Sequence, residues 1–155
     1  MGQDSGVVQG ALEGWKIETD ALAVLMKSEF LTHLKIQEGE KEGTWFLLEP
    51  LIYRSEILKG EIAIPKGFVT DLASVPRVPI FYMLFGDRAH HESIPHDFFY
   101  QTHQVTKAIA DKVFLEAMKA RGKSFGIYWP MYMGVVLGGR SSYKSGPERF
   151  KVLNS

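Results

Sequence analysis

The chain contains no cysteine. That excludes disulfides, thiol catalysis and every cysteine-based zinc site, so any metal ligands would have to be histidine, aspartate or glutamate. It leaves the redox compartment undecided. Net charge is also lacking, because eighteen Lys and Arg residues balance eighteen Asp and Glu residues. No global field therefore draws the protein to nucleic acid or to an anionic membrane. Nucleic-acid binding ranks last among the function classes, since only the C-terminal stretch is basic. The most apolar run, "GIYWPMYMGVVLGG" at 126–139, is too short to span a bilayer and is interrupted by glycine and proline; it reads as a packing helix, with no membrane insertion. The opening "MGQDSGVVQG" lacks the basic-then-apolar order of a secretory signal. The expectation is a protein that stays where it is made or is built into an assembly there.

What is present fits one domain. A chain of 155 residues with 45% hydrophobic and 23% charged residues can bury a single core without staples. Residues 1–20 read as a flexible N-terminal arm, 21–139 as a single α+β domain, and 140–155 as a flexible polar tail. Phe30 to Ile36 reads as a strand, and "EGEKEG" at 38–43 as a hairpin tip. "TWFLLEPLIYRSEI", "LKG" and "EIAIPKGFVT" follow as short strands punctuated by Pro50, Gly60, Pro65 and Gly67, a small antiparallel meander. Three helices are expected after it, near 94–103, 106–121 and 130–138. Strands first and helices packed on them later make an α+β fold. In the last helix Gly126, Pro130, Gly134 and Gly138 recur every fourth position, which predicts a small-residue side open to a close backbone approach.

The chemistry-bearing residues gather in the second half. "HHESIPHDFFYQTH" holds four of the five histidines within residues 90–103. A helix beginning near Pro95 puts His96, Tyr100 and His103 on one face, Asp97 and Gln101 on the next, and leaves His91 in the preceding turn. In the following helix, 100° per residue places Lys112, Glu116 and Lys119 on the solvent side, whereas Asp111 falls among Phe114, Leu115 and Met118. A carboxylate there is buried, and it needs a hydrogen-bond donor, a cation or a metal. Either it ties two elements together through hydrogen bonds, or it joins His91, His96 and Asp97 as ligands of a divalent ion such as zinc. The spacing matches no recognised metal signature. Upstream, in "GFVTDLASVPR" at 67–77, Thr70 or Asp71 reads as the N-cap of a short turn, with Ser74 supplying a further local bond and Pro76 and Pro79 ending it. Asp71 and Ser74 are expected to reach the polar centre lined by His96, Asp97 and Asp111.

"IAIPKGFVTDLASVPR", "HDFFY", "TKAIADKVFLEAMKARG" and "MYMGVVLGG" resemble, in that order, a family of uncharacterised domains found in tailed bacteriophages and prophages. Its pattern runs VPxGFxTDLASVPR, HDxLY and ADxxFxxxM, and the similarity covers roughly residues 45–139. The matched polar positions are Asp71, Ser74, Arg77, His96, Asp97, Tyr100 and Asp111. Lys107 stands where the family usually has arginine, keeping the charge but losing the bidentate fork. The resemblance implies a phage or prophage product, and no activity transfers with it. One expectation is a structural or accessory virion protein, associated with the tail or its tip. It would contact other phage structural proteins or itself, and be found in the virion or, during assembly, in the host cytoplasm. The other is a small metal-dependent hydrolase acting on a cell-envelope or other host substrate, with His96, Asp97 and Asp111 as its catalytic candidates.

Overall fold

The computed structural model describes residues 27–70, 90–140 and Tyr143. The fold is α+β: six short strands form two small antiparallel sheets, and three helices follow. The strands are β1 (Glu29–Phe30), β2 (Ile36–Glu38), β3 (Trp45–Leu47), β4 (Leu51–Ser55), β5 (Gly60–Ile64) and β6 (Val69–Thr70). The helices are α1 (His90–Thr102), α2 (Lys107–Ala120) and α3 (Phe125–Gly138).

The strands divide between sheets ordered β1-β4-β5 and β2-β3-β6, in place of the single meander expected. The stretch from Phe30 to Ile36 is not one strand either. Its middle leaves the ladder, and the Thr32 hydroxyl replaces a backbone partner by accepting from Ile52 N at 2.9 Å and donating to Pro50 O at 3.1 Å. That substitution lets the chain cross from one sheet to the other while the Ile52 N–H and Pro50 carbonyl keep a partner. The hairpin tip at 38–43 joins β2 to β3 as expected, closed by Gly39 N donating to Thr44 O at 2.8 Å.

Alternation decides which side of β4 faces inward: Leu51, Tyr53 and Ser55 are buried, and Ile62 and Ile64 of β5 join them. These side chains meet Ile94, Phe98 and Phe99 of α1 and Ala110 and Val113 of α2 in the main core. Fully burying an aliphatic or aromatic side chain of this size contributes about 1.5–3 kcal/mol. A second cluster joins α2 to α3 through Phe114, Met118, Met131 and Val135. The outer side of α3 leaves Phe125, Trp129 and Leu137 exposed among the described residues. None of the described helices is long and apolar enough to cross a membrane.

Both proline-based helix starts are corrected by the structure. Pro95 and Pro130 each stand at the sixth residue of their helix, not at its beginning. Each deprives the carbonyl four residues earlier, His91 or Gly126, of its intrahelical N–H. The extra turn is retained because it buries surface: Glu92, Ser93 and Ile94 are enclosed in α1, and Ile127 and Tyr128 pack on the second cluster in α3. Helix α2 starts at Thr106, whose hydroxyl accepts from Ile109 N, and ends in a left-handed glycine. There Gly122, at φ 74°, lets Lys123 N reach Met118 O and Gly122 N reach Lys119 O.

The glycine spacing in α3 does not mark a close backbone approach at its first position, since a Cβ on Gly126 would meet nothing within 4 Å. The close approach is at Gly139. A Cβ there would lie 2.4 Å from Tyr100 Oη, 2.7 Å from Val135 O and 3.2 Å from Lys107 Cε. Asp71, Ser74 and Arg77 lie outside the described residues, as do the expected N-terminal arm and nearly all of the expected tail. Tyr143, within that tail, donates to Val105 O at 2.8 Å and stacks on His103 with ring centroids 4.2 Å apart.

Candidate functional site

Nine consecutive residues of α1, Glu92 through Tyr100, are buried. A helix enclosed on every side has no solvent face, so each polar side chain in that run must find its partner inside the protein. Ser93 donates to His90 O one turn back at 2.9 Å. Glu92, 1% exposed, ion-pairs with Arg121 Nε at 3.1 Å, and Lys123 Nζ lies 3.8 Å away. Burial nevertheless raises the Glu92 pKa above the usual carboxylate range. His96 and Tyr100 point to α2, and Asp97 and Gln101 point to β6, as their one-turn spacing requires.

Asp111 is the centre of the α1–α2 contact. Its Oδ1 pairs with His96 Nε2 at 2.9 Å and accepts from Tyr100 Oη at 2.7 Å, while Oδ2 accepts from Lys107 Nζ at 2.5 Å. The Lys107 ammonium also donates to Val135 O at 2.9 Å and Val136 O at 3.3 Å. One carboxylate thus ties α1 to α2, and its lysine partner extends the tie to the end of α3. Lysine suits this task because its three donors diverge to a carboxylate and two carbonyls, where a planar guanidinium would favour one bidentate partner.

Burial by itself would lower the His96 pKa, but the hydrogen bond to Asp111 and the nearby Asp97 carboxylate outweigh it and raise it. Burial would raise that of Asp111, yet hydrogen bonds from His96, Lys107 and Tyr100 hold it below the ordinary value. The pairing thus biases His96 toward imidazolium and Asp111 toward carboxylate, each 1–3% exposed in its side chain. Tyr100 is pushed well above the usual phenol range by burial and by the carboxylate it bonds.

Asp97 accepts from the Thr70 hydroxyl at 2.5 Å through Oδ2. Its Oδ1 has no hydrogen-bond partner among the described residues, and His96 Nδ1 is 3.9 Å away. Gln101 Nε2 donates to Val69 O at 3.0 Å, so α1 is fastened to β6 by two side chains one turn apart.

The structure brings together His96, Tyr100, Lys107 and Asp111, with Asp97 on the adjoining side of His96. It does not bring His91 to them. His91 belongs to α1, not to the preceding turn; its ring meets Phe30 edge-on at 5.7 Å, and burial with the charges of Arg121 and Lys123 lowers its pKa to about 4. His103 ends α1 in a left-handed conformation, φ 53°, and faces Tyr143. No group of three or more His, Cys, Asp or Glu among the described residues has an arrangement that could hold a metal ion.

Sequence reasoning missed Glu116. It was placed on the solvent side of α2, but its carboxylate closes the β4–β5 turn by accepting from Tyr53 Oη at 2.9 Å, Ser55 Oγ at 2.7 Å and Ile57 N at 3.0 Å. Thr70 or Asp71 was expected to cap a turn that lies outside the described residues; Thr70 is the Asp97 donor, which no local sequence signal indicated.

A family model described as "Protein of unknown function (DUF1353)" matches residues 45–135, more than half of the chain. The chain belongs to this family. It matches no curated protein and no solved structure. The DUF1353 match runs from β3 into α3 and takes in the whole network of His96, Asp97, Tyr100, Lys107 and Asp111. Strands β1 and β2 stand outside it, so in this chain the family's part of the fold is completed on one edge of each sheet by residues from before position 45.

Proposed function

We propose that the protein is a bacteriophage-encoded structural or accessory virion component, associated with the tail or tail tip, in which the His/Asp network specifies the fold. The observation that carries this reading is the engagement of both Asp111 oxygens by the protein's own donors. These are His96, Tyr100 and Lys107, in an interior where the aspartate is 2% exposed. A general base or metal ligand has to present a lone pair to substrate, water or cation. Here the lone pairs are turned to the protein's own donors, as in networks that hold elements in one register. The resemblance of its sequence blocks to phage and prophage domains supports this biological setting, and on this reading the protein is found in the virion or, during assembly, in the host cytoplasm. Mass spectrometry of purified virions from a phage encoding this chain is the direct test. Recovery of its peptides in stoichiometric proportion to tail proteins is the expected result, and their absence from particles overturns a permanent structural role.

A metal-assisted hydrolase is favoured by one observation alone, the Asp97 Oδ1 that has no donor among the described residues, beside His96. Elemental analysis of the purified protein separates the two readings. Zinc or manganese present one per chain and lost in His96→Ala would raise the hydrolase reading, and its absence would leave a structural network.

A further inference from the structure

A cleft of about 720 Å³ opens between the β4–β5 turn and the outer face of α2, away from the His96–Asp111 network. One wall is formed by Lys27, Ser28, Glu56 and Ile57, and the other by α2, closed at one end by Tyr132 of α3. Helical periodicity builds the α2 wall: Lys112, Leu115, Glu116 and Lys119 fall on one face. The two lysines, two turns apart, are separated by about 10 Å along the axis.

The polar groups of this cleft divide by what they already do. Glu116 is turned onto the protein, whereas Glu56 is exposed and bonded through one oxygen. Glu116 spends its two oxygens on Tyr53, Ser55 and Ile57, and Glu56 Oε1 accepts from Ser28 N at 3.3 Å. The three lysines make no ion pair among the described residues, and Lys112 and Lys119 are exposed; Lys119 Nζ lies 5.2 Å over the Tyr128 ring. The lining is thus one carboxylate already engaged, Glu116, one exposed carboxylate, Glu56, three lysine ammonium groups without an ion pair among the described residues, and an apolar surface from Ile57, Leu115 and Tyr132. Its volume falls within the range of small-ligand sites, which pair an apolar lining with a few polar anchors.

We propose that this cleft binds a small amphipathic anion, a carboxylate, sulfonate or phosphate head on an apolar body, with Lys112 and Lys119 holding the head and Leu115, Ile57 and Tyr132 the body. A free fatty acid and the exposed end of an anionic lipid share this chemistry.

The full chain is titrated with anilinonaphthalene sulfonate, and the fluorescent complex is competed with octanoate and, as the uncharged comparator, octyl glucoside below its micelle concentration. Octanoate is expected to displace the probe and octyl glucoside to fail. The Lys112→Gln/Lys119→Gln double variant, which alters two exposed side chains, is expected to weaken octanoate at least about tenfold. Phe125→Ser, on the exposed side of α3, is expected to leave octanoate affinity unchanged. Circular dichroism confirms that both variants are folded. Sedimentation with phosphatidylglycerol but not phosphatidylcholine vesicles, lost in the lysine variant, assigns the anion to a lipid; octanoate binding without sedimentation assigns it to a free amphiphile. Octanoate affinity in the lysine variant within about twofold of wild type overturns the proposal. So does loss of displacement in Phe125→Ser instead, or equal displacement by octyl glucoside.

Discussion

Replacing Asp111 by alanine removes the acceptor on which three donors converge. His96, whose side chain is 1% exposed, loses its main acceptor and must either stay charged in the interior or give up its proton. Lys107, 18% exposed in its side chain, can lean outward and keeps its bonds to the Val135 and Val136 carbonyls. Breaking a buried ion pair by deleting one partner costs about 3–5 kcal/mol, and Lys107's freedom argues for the lower half of that range. Asp111→Asn retains an acceptor for His96 and Tyr100 but turns an amide N–H₂ toward the Lys107 ammonium. About 2–3 kcal/mol is expected for it, near the worth of hydrogen bonds to charged groups. Against a total stability of about 5–15 kcal/mol, either change is large. Urea unfolding followed by circular dichroism measures both, compared at equal m-value. The Asn variant has a second readout, because the His96 imidazole titration followed by NMR should move to lower pH once burial is opposed only by Asp97. Unfolding free energies for both variants within about 0.5 kcal/mol of wild type, the scatter of surface substitutions, would refute the assignment of Asp111 as the hub.

Gly139→Ala forces a Cβ against Tyr100 Oη and Val135 O, so it should cost about 1–3 kcal/mol by overpacking, seen as a lowered Tm, although the glycine's φ of −76° suits alanine. Glu116→Gln should cost about 1–3 kcal/mol by weakening the acceptor for Tyr53, Ser55 and Ile57, and hydrogen exchange at the Ile57 amide should accelerate. The His96–Asp111 pair predicts a pH window for stability. His96, raised in the fold above 6.5, contributes fully below pH 6.5 and loses its contribution as pH rises through its folded pKa. Asp111, lowered below 3.8, contributes fully above pH 3.8 and loses it as pH falls through its folded pKa. Alkaline loss should therefore shrink in Asp111→Asn, measured by denaturation midpoints between pH 6 and 9. His91 has the opposite sign: its folded pKa of about 4 makes the protein less stable as pH falls from 6.5 toward 4, so His91→Gln should flatten that limb.

The burial of Asp111 was legible in the sequence because helical geometry is local. Rotation by 100° per residue places it beside Phe114 and Met118, and both are fully buried with it. The same reasoning put His96 and Tyr100 on a common face, and the structure joins them to one carboxylate. It failed at the helix starts. A proline was read as a first residue, whereas in α1 and α3 burial of the preceding turn outweighs the lost hydrogen bond. It failed also for His91, since proximity in the chain does not bring a side chain to the same face of a helix.

By itself, the sequence determined the α+β class, the hairpin at 38–43, and the faces on which His96, Asp97, Tyr100 and Asp111 lie, since these follow from turn chemistry and from the periods of strand and helix. Only the tertiary structure decided that α1 is enclosed on all sides, that Lys107 reaches the carbonyls of α3, that Glu116 closes a distant turn, and that Gly139 presses against Tyr100. Whether a side chain is buried, and which donor it meets there, depends on segments far away in the chain, and no local period carries that information.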